Sequence, residues 1–181
     1  NAFERTVVSE LRGVTDEQGR SPFWDAIGRH FFDIDFRRAD YLSIVNKRFI
    51  ADLMPRHPIY IPLLPKSAQD VIGIPHEQSR RAVRNLQGEG FAFANEVDIF
   101  DAGPTLVAQI DDLRTIRDLR HAMFARTDDS DPLRDHLVTR GTGTAFCCAP
   151  GSIEAAGGQA VTDSRTAASL GLSEGQSFSY L

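Results

Sequence analysis

His76 follows Ala68-Gln69-Asp70-Val71-Ile72-Gly73-Ile74-Pro75 and precedes a helical pattern, so the sequence puts one imidazole at a loop-to-helix junction punctuated by Gly and Pro. Imidazole is the side chain whose unperturbed pKa lies near neutrality, and at such a junction it can give or take a proton. It can equally well only open the helix, where the positive end of the dipole disfavours a cation. The residues alone leave both readings standing. His57, in Pro55-Arg56-His57-Pro58, reads as a residue that lines a site or fixes its loop. His30 reads as a partly buried, hydrogen-bonded residue, and no catalytic role is expected of His121 or His136. The two cysteines, Cys147 and Cys148, are adjacent, which suits neither a disulfide framework nor spaced metal ligands.

Composition narrows the class further. With 181 residues, 41% hydrophobic and 25% charged, the chain can bury a core as one domain, or as one domain plus a small appendage. A net charge of −5 with Arg and Asp interspersed argues against a nucleic-acid surface or an anionic-membrane patch. No apolar run approaches the ~20 residues that span a bilayer, and no basic start plus apolar core suggests a signal peptide. The cysteine usage fits a reducing cytoplasm. The expected partners are small molecules and other protein chains, with neither nucleic acid nor membrane among them.

Several strings then agree on one family. Ser21-Pro22-Phe23-Trp24, Met54-Pro55-Arg56-His57-Pro58-Ile59-Tyr60, the string ending in Gly73 before His76, Gly88-Glu89-Gly90-Phe91, and Asp101-Ala102-Gly103-Pro104-Thr105-Leu106 together resemble the arginine N-succinyltransferase family over about residues 5 to 110. The resemblance implies transfer of a succinyl group from succinyl-CoA to the α-amino group of L-arginine, in arginine catabolism. His76 is then the proton donor to the departing CoA thiolate. The match departs locally, because Ile74-Pro75-His76-Glu77 stands where the family carries Gln-Val-His-Pro, so that a proline precedes the histidine instead of following it. Arginine binding needs a planar carboxylate for the guanidinium, and Glu10 and Asp101 are the carboxylates in matching strings. Either also reads as solvated or paired with Arg12, which is the commoner state of a carboxylate. Phe23 and Trp24 read as core aromatics ahead of pocket walls.

The same resemblance sets the expected fold, an α+β chain. Residues 1–110 would be the second half of an acyl-CoA N-acyltransferase (GNAT-like) mixed sheet with helices, and residues 111–181 a small β-rich appendage. Such enzymes hold the CoA pyrophosphate on an Arg/Gln-x-x-Gly-x-Gly/Ala turn that opens a helix. Arg140-Gly141-Thr142-Gly143-Thr144-Ala145 fits by letters, but Phe146-Cys147-Cys148-Ala149-Pro150-Gly151 cannot continue a helix. In the family the CoA turn lies before the strand with which this chain opens. No residue here is therefore assigned to CoA, and succinyl-CoA is a co-substrate with no permanently bound cofactor. The absent initiator Met and immediate strand lead to the expectation of an N-terminal half or companion subunit, in a hetero- or homo-oligomer that covers strand 5–13. Two alternatives stay open: an N-acyltransferase for ornithine or another amine, and a non-catalytic or regulatory subunit.

The elements that must position these residues follow from pattern. Residues 5–13 alternate as a strand, and Ser21-Pro22 caps a helix through about residue 32. Helices are expected over 36–45, 47–54 and 66–72, and Ile59-Tyr60-Ile61 is extended. His76 to Gln87 reads as a helix with Ala82, Val83 and Leu86 inward, stopped by Gly88 and Gly90. Residues 91–93 and 97–100 read as strands around a turn at Asn95-Glu96, and 105–110 as a further strand. Residues 112–126 are helical by spacing, although the resemblance makes part of them extended. Strands are expected at 137–139 and 144–148, then a mobile excursion over 149–158, a helix from Thr162-Asp163-Ser164 to Leu170, and a closing strand over 176–181.

Overall fold

The computed structural model describes residues 5–45, 48–53, 56–130 and 133–181. It has the expected α+β class and divides into two compact units, residues 1–113 and 114–181. The first runs β1 (Thr6–Glu10), α1 (Pro22–Ala26), α2 (Gly28–Phe32), α3 (Phe36–Val45), α4 (Arg48–Leu53), α5 (Lys66–Gln69), α6 (Arg80–Glu89), β2 (Ala92–Val97) and β3 (Pro104–Gln109). The second runs α7 (Arg114–Asp118), β4 (Arg120–Thr127), β5 (His136–Arg140), β6 (Cys147–Gly151), β7 (Ile153–Ala156), β8 (Gln159–Thr162), α8 (Ser164–Leu170) and β9 (Ser177–Tyr180).

In the first unit, β3 lies between β1 and β2 in an antiparallel sheet, with Thr6 opposite Gln109 and Glu10 opposite Thr105. As the central strand it is buried at Pro104, Thr105, Leu106 and Ala108. Helix α6 lays Val83 and Leu86 on Phe91, Leu106 and Ala108, and β1 adds Val7 with Leu11 beyond it. Ala82, expected inward, is exposed, and Gly88 continues the helix, which ends at left-handed Gly90. A separate cluster gathers Trp24, Ala39 and Phe100 with Ile34, Phe36, Ile50 and Ile99. Ser21 caps α1 by accepting from the Trp24 N–H at 3.2 Å, with Pro22 in the first turn. Trp24 is fully buried, donates its indole N–H to the Ile34 carbonyl at 3.0 Å and stacks on Phe100 at 5.2 Å. The expected single helix breaks at Ile27, and at Gly28 an added Cβ would lie 2.2 Å from the Trp24 ring. Phe23 and Trp24 are therefore core residues.

Three local expectations are corrected here. Residues 92–97 form one strand, irregular between Phe93 and Val97 around left-handed Asn95, and 98–101 form a tight turn instead of a strand. Asp98 explains the turn, because its Oδ1 accepts from the Phe100 N–H at 2.7 Å and the Asp101 N–H at 3.3 Å. Tyr60 is extended as expected, but Ile61 already opens a 3-10 turn through Leu63, and His30 is exposed. Met54-Pro55 and the Asn46-Lys47 junction lie outside the described residues.

The second unit is a six-stranded sheet in the order β6-β5-β9-β4-β8-β7, with β4 parallel to β8 and the other pairs antiparallel. Residues 120–127 are a strand, not the helix that their spacing suggests. Ala122 and Phe124 alternate inward, and pairing to β8 and β9 on both sides overrides local preference. The excursion expected over 149–158 is instead largely the pairing arms of β6 and β7. Its small residues have a packing reason, since a Cβ at Gly151 would lie 2.7 Å from Thr166 of α8. Asp163 caps α8 at the Thr166 N–H, 2.9 Å away. Burial alone would lift the Asp163 carboxyl, but hydrogen bonds from Thr166 and the Ser152 N–H, with the Arg134 charge, hold it below the usual range. Residues 143–145 form a 3-10 turn between β5 and β6, so the Gly-Thr letters at Arg140–Ala145 open no α-helix.

Leu106, 1% exposed at the centre of β3, ties α6 to the sheet. Leu106→Ala is expected to cost about 2–5 kcal/mol, read from the shift in a urea-unfolding midpoint.

Candidate functional site

The loop carrying His76 is held by main-chain bonds. The His76 N–H donates to the Arg12 carbonyl at 2.8 Å, Pro75 bridges Gly13, and the Gly73 N–H donates to the Ala102 carbonyl at 2.9 Å. Segments far apart in sequence thus meet: the end of β1, the 73–76 loop and the turn entering β3. Two glycines allow it. A Cβ at Gly13 would lie 2.1 Å from the Asp101 carbonyl oxygen, and one at Gly103 would lie 1.9 Å from the Leu11 carbonyl oxygen. Between them Ala102, fully buried, sits in the left-handed region at φ 57°, a conformation that only surrounding structure can impose.

His76 is half-buried and caps the 3-10 turn Glu77–Ser79, with its Nδ1 accepting from the Gln78 N–H at 3.2 Å. Nδ1 is thereby engaged by the chain, and proton exchange with anything outside the loop goes through Nε2.

Glu10 and Asp101 line one cleft of about 370 Å³ with Arg12, Asp40, Asp98 and Phe100. Asp101 is 8% exposed and its Oδ1 accepts from the Gly103 N–H at 2.9 Å, so it shapes its own turn. Glu10 is exposed at the end of β1. Neither pairs with Arg12 among the described residues, since that guanidinium donates to Thr15 Oγ1 at 2.8 Å. Asp98 was invisible as a site residue because Val97-Asp98-Ile99-Phe100 has the look of a strand. Burial pushes its carboxyl above the ordinary value despite two N–H donors, and the charges of Asp101 and Glu10 push the same way. A lining of four carboxylates and one guanidinium has the chemistry to accept a cation, whether a planar guanidinium or an ammonium. The structure brings Glu10 and Asp101 together and ties the His76 main chain to Arg12 of the same cleft wall. His57 is exposed, and His121 Nδ1 lies 2.8 Å from Ser179 Oγ on the second unit's sheet. Among the described residues no cluster of His, Cys, Asp or Glu has the arrangement of a metal centre.

Gly103→Ala is expected to destabilise the protein by about 1–3 kcal/mol or more through overpacking against backbone, seen as a lower unfolding midpoint. For Asp98, a folded-state pKa above the unfolded one means that the folded state binds the proton more tightly. Its contribution to stability is then present at low pH and lost as pH rises from the unfolded value through the raised one. Asp98→Asn keeps the acceptor oxygen for both N–H groups, so it is expected to flatten that part of the stability–pH curve and not to weaken the fold at neutral pH.

The comparisons with known proteins fall on the same residues. The family model for the arginine N-succinyltransferase beta subunit matches residues 1–115. An arginine N-succinyltransferase of Yersinia pestis (strain Pestoides F) is 54% identical over 117 residues, covering 64% of this chain and 33% of that protein. The arginine N-succinyltransferase subunit beta of Pseudomonas aeruginosa is 42% identical over 179 residues, 97% of this chain and 52% of that one. A solved structure, the arginine/ornithine succinyltransferase subunit AI from Pseudomonas aeruginosa, superposes with a TM-score of 0.78 at 36% identity, over 98% of this chain and 51% of that chain. The chain thus spans between a third and about half of these relatives' length. The convergence of β1, the His76 loop and the turn before β3 lies wholly within the matched residues, and the chain belongs to the arginine N-succinyltransferase beta subunit family.

Proposed function

We propose that this chain carries the proton-transferring histidine of a cytoplasmic arginine N-succinyltransferase, with succinyl-CoA and L-arginine as substrates and a companion segment or subunit holding most of the CoA. The observation that supports it best is the setting of His76: its main chain bonded to Arg12, its Nδ1 engaged by Gln78, and its Nε2 left for exchange. In the reaction the neutral α-amine forms a bond to the thioester carbonyl carbon, and the carbon–sulfur bond breaks. The sulfur must gain a proton while the new amide nitrogen sheds one. His76 hands a proton from Nε2 to the sulfur and is refilled by the one the nitrogen releases. Glu10 and Asp101, with Asp98 in the same lining, hold the cationic end of the substrate in their cleft.

A second amine deserves the same test, because the solved relative's title names ornithine beside arginine. An acidic cleft accepts an ammonium as readily as a guanidinium, although only the latter gains a planar bidentate pair. Comparing kcat/KM for the two amines separates these readings.

The decisive variant is His76→Asn, measured in the native assembly. Asparagine is a good helix cap but carries no titratable proton. The expected result is an intact fold with kcat reduced on the order of 10² to 10⁴, the usual worth of a positioned acid or base. Activity within about threefold of wild type would remove His76 from the chemistry and leave the chain a non-catalytic subunit.

A further inference from the structure

The second unit carries a basic cleft that the proposed transfer does not use. It has a volume of about 570 Å³ and is lined by Arg114, Arg117, Arg120, His136 and Tyr180, with Asp118 the acidic side chain in its wall. Pockets for small molecules commonly run to roughly 300–1,000 Å³, so there is room for more than a single inorganic ion.

The topology explains why these residues share one place. Arg120 at the start of β4 stands opposite Tyr180 of β9, and Tyr180 also stands opposite Val138 of β5. Residues opposite one another in an antiparallel pair share a face, and so do residues two apart on a strand. Arg120, Tyr180 and His136 therefore lie at one end of the same sheet face. Arg114 and Arg117, three apart on α7, share a helix face. The His136 ring meets Tyr180 edge-on at 5.8 Å, giving an aromatic wall beside the guanidinium groups. Its Nδ1 lies 2.8 Å from an Asp135 carboxylate oxygen, without the alignment of a hydrogen bond.

Among the described residues, Arg117 and Arg120 have no ion-pair partner, and both are exposed. Two other arginines of this unit show the contrast: Arg134 is tied to Asp163, Thr166 and the Pro150 carbonyl, and Arg140 to the carbonyls of Leu170 and Gly171. Two guanidinium groups close together without ion-pair partners, as Arg117 and Arg120 are, repel one another, and an anion entering between them relieves that repulsion. A fork of N–H donors suits a tetrahedral oxyanion, and an adjoining aromatic wall suits a ring carried on it.

We propose that this cleft is a binding site for a phosphate-bearing small molecule, with Arg117 and Arg120 gripping the phosphate and His136 with Tyr180 bordering the attached group. The proposal stands independently of the role given to His76. Two sources share this chemistry, a free phosphate or nucleotide and the phosphates of coenzyme A, and the experiment distinguishes them.

The test is isothermal titration of the native assembly with inorganic phosphate, ADP and coenzyme A at low ionic strength, repeated with the Arg117→Ala/Arg120→Ala double variant. The expected result is saturable binding of at least one probe, weakened by about tenfold or more in the variant, with a melting temperature unchanged or raised. Loss of coenzyme A binding along with phosphate assigns the site to the co-substrate. Loss of phosphate or ADP binding alone assigns it to a separate ligand. No saturable binding of any probe, or binding that the double variant leaves within about twofold, overturns the proposal. If the alanine pair lowers the melting temperature, Arg117→Lys/Arg120→Lys supplies the reading, since it keeps both charges but loses the fork. A weakening of about threefold or more then supports the site, and unchanged affinity removes it.

Discussion

The contact on which the first unit turns is one between two stretches of bare main chain. At Gly13 and Gly103 the end of β1 and the turn entering β3 approach so closely that neither position has room for a Cβ. From this contact the rest follows in order. Pro75 can reach Gly13, the His76 amide can reach the Arg12 carbonyl, and Gly73 can reach Ala102. The loop that carries the imidazole is thus located by backbone donors and acceptors, which do not depend on side-chain rotamers. A loop held this way has little main-chain freedom left to lose.

What the sequence makes legible and what it conceals divide along the reach of the interactions. Helix starts are local chemistry, and they are readable: Ser21-Pro22 caps α1, Asp163 caps α8, and His76 stands where its loop turns into a helix. Non-local decisions are not. Residues 120–126 have a spacing that a helix would accept, and only the strands on either side convert them into β4. The segment Val97-Asp98-Ile99-Phe100 alternates like a strand, yet one carboxylate oxygen bonded to two N–H groups bends it into a turn. That misreading also hid the most perturbed carboxyl in the acidic cleft. The family strings point to Glu10, His76 and Asp101 but do not show that Glu10 and Asp101 line one cleft, or that the His76 main chain is bonded to Arg12 of its wall, because those meetings depend on two glycines ninety positions apart.

The two units organise charge in different ways. In the first, Glu10, Asp40, Asp98 and Asp101 collect around one cleft, with Asp98 half-buried among them. In the second, Arg134 and Arg140 are spent on internal carbonyl and carboxylate partners, while among the described residues Arg117 and Arg120, before and at the start of β4, have no ion-pair partner. A chain of net charge −5 can therefore present local potentials of both signs. Its overall charge says little about what each cleft admits.

Strand β1 forms one margin of its sheet, with β3 on one side and no strand on the other among the described residues, and Val8 upon it is 56% exposed. A strand laid along that margin would be recognised by the rhythm of amides and carbonyls, which is the same for every residue except proline. Such recognition carries almost no alphabet. A strand pairing there could vary widely in sequence and still zip on, and discrimination between one neighbour and another would fall to the few side chains, Val8 first, that stand on that margin.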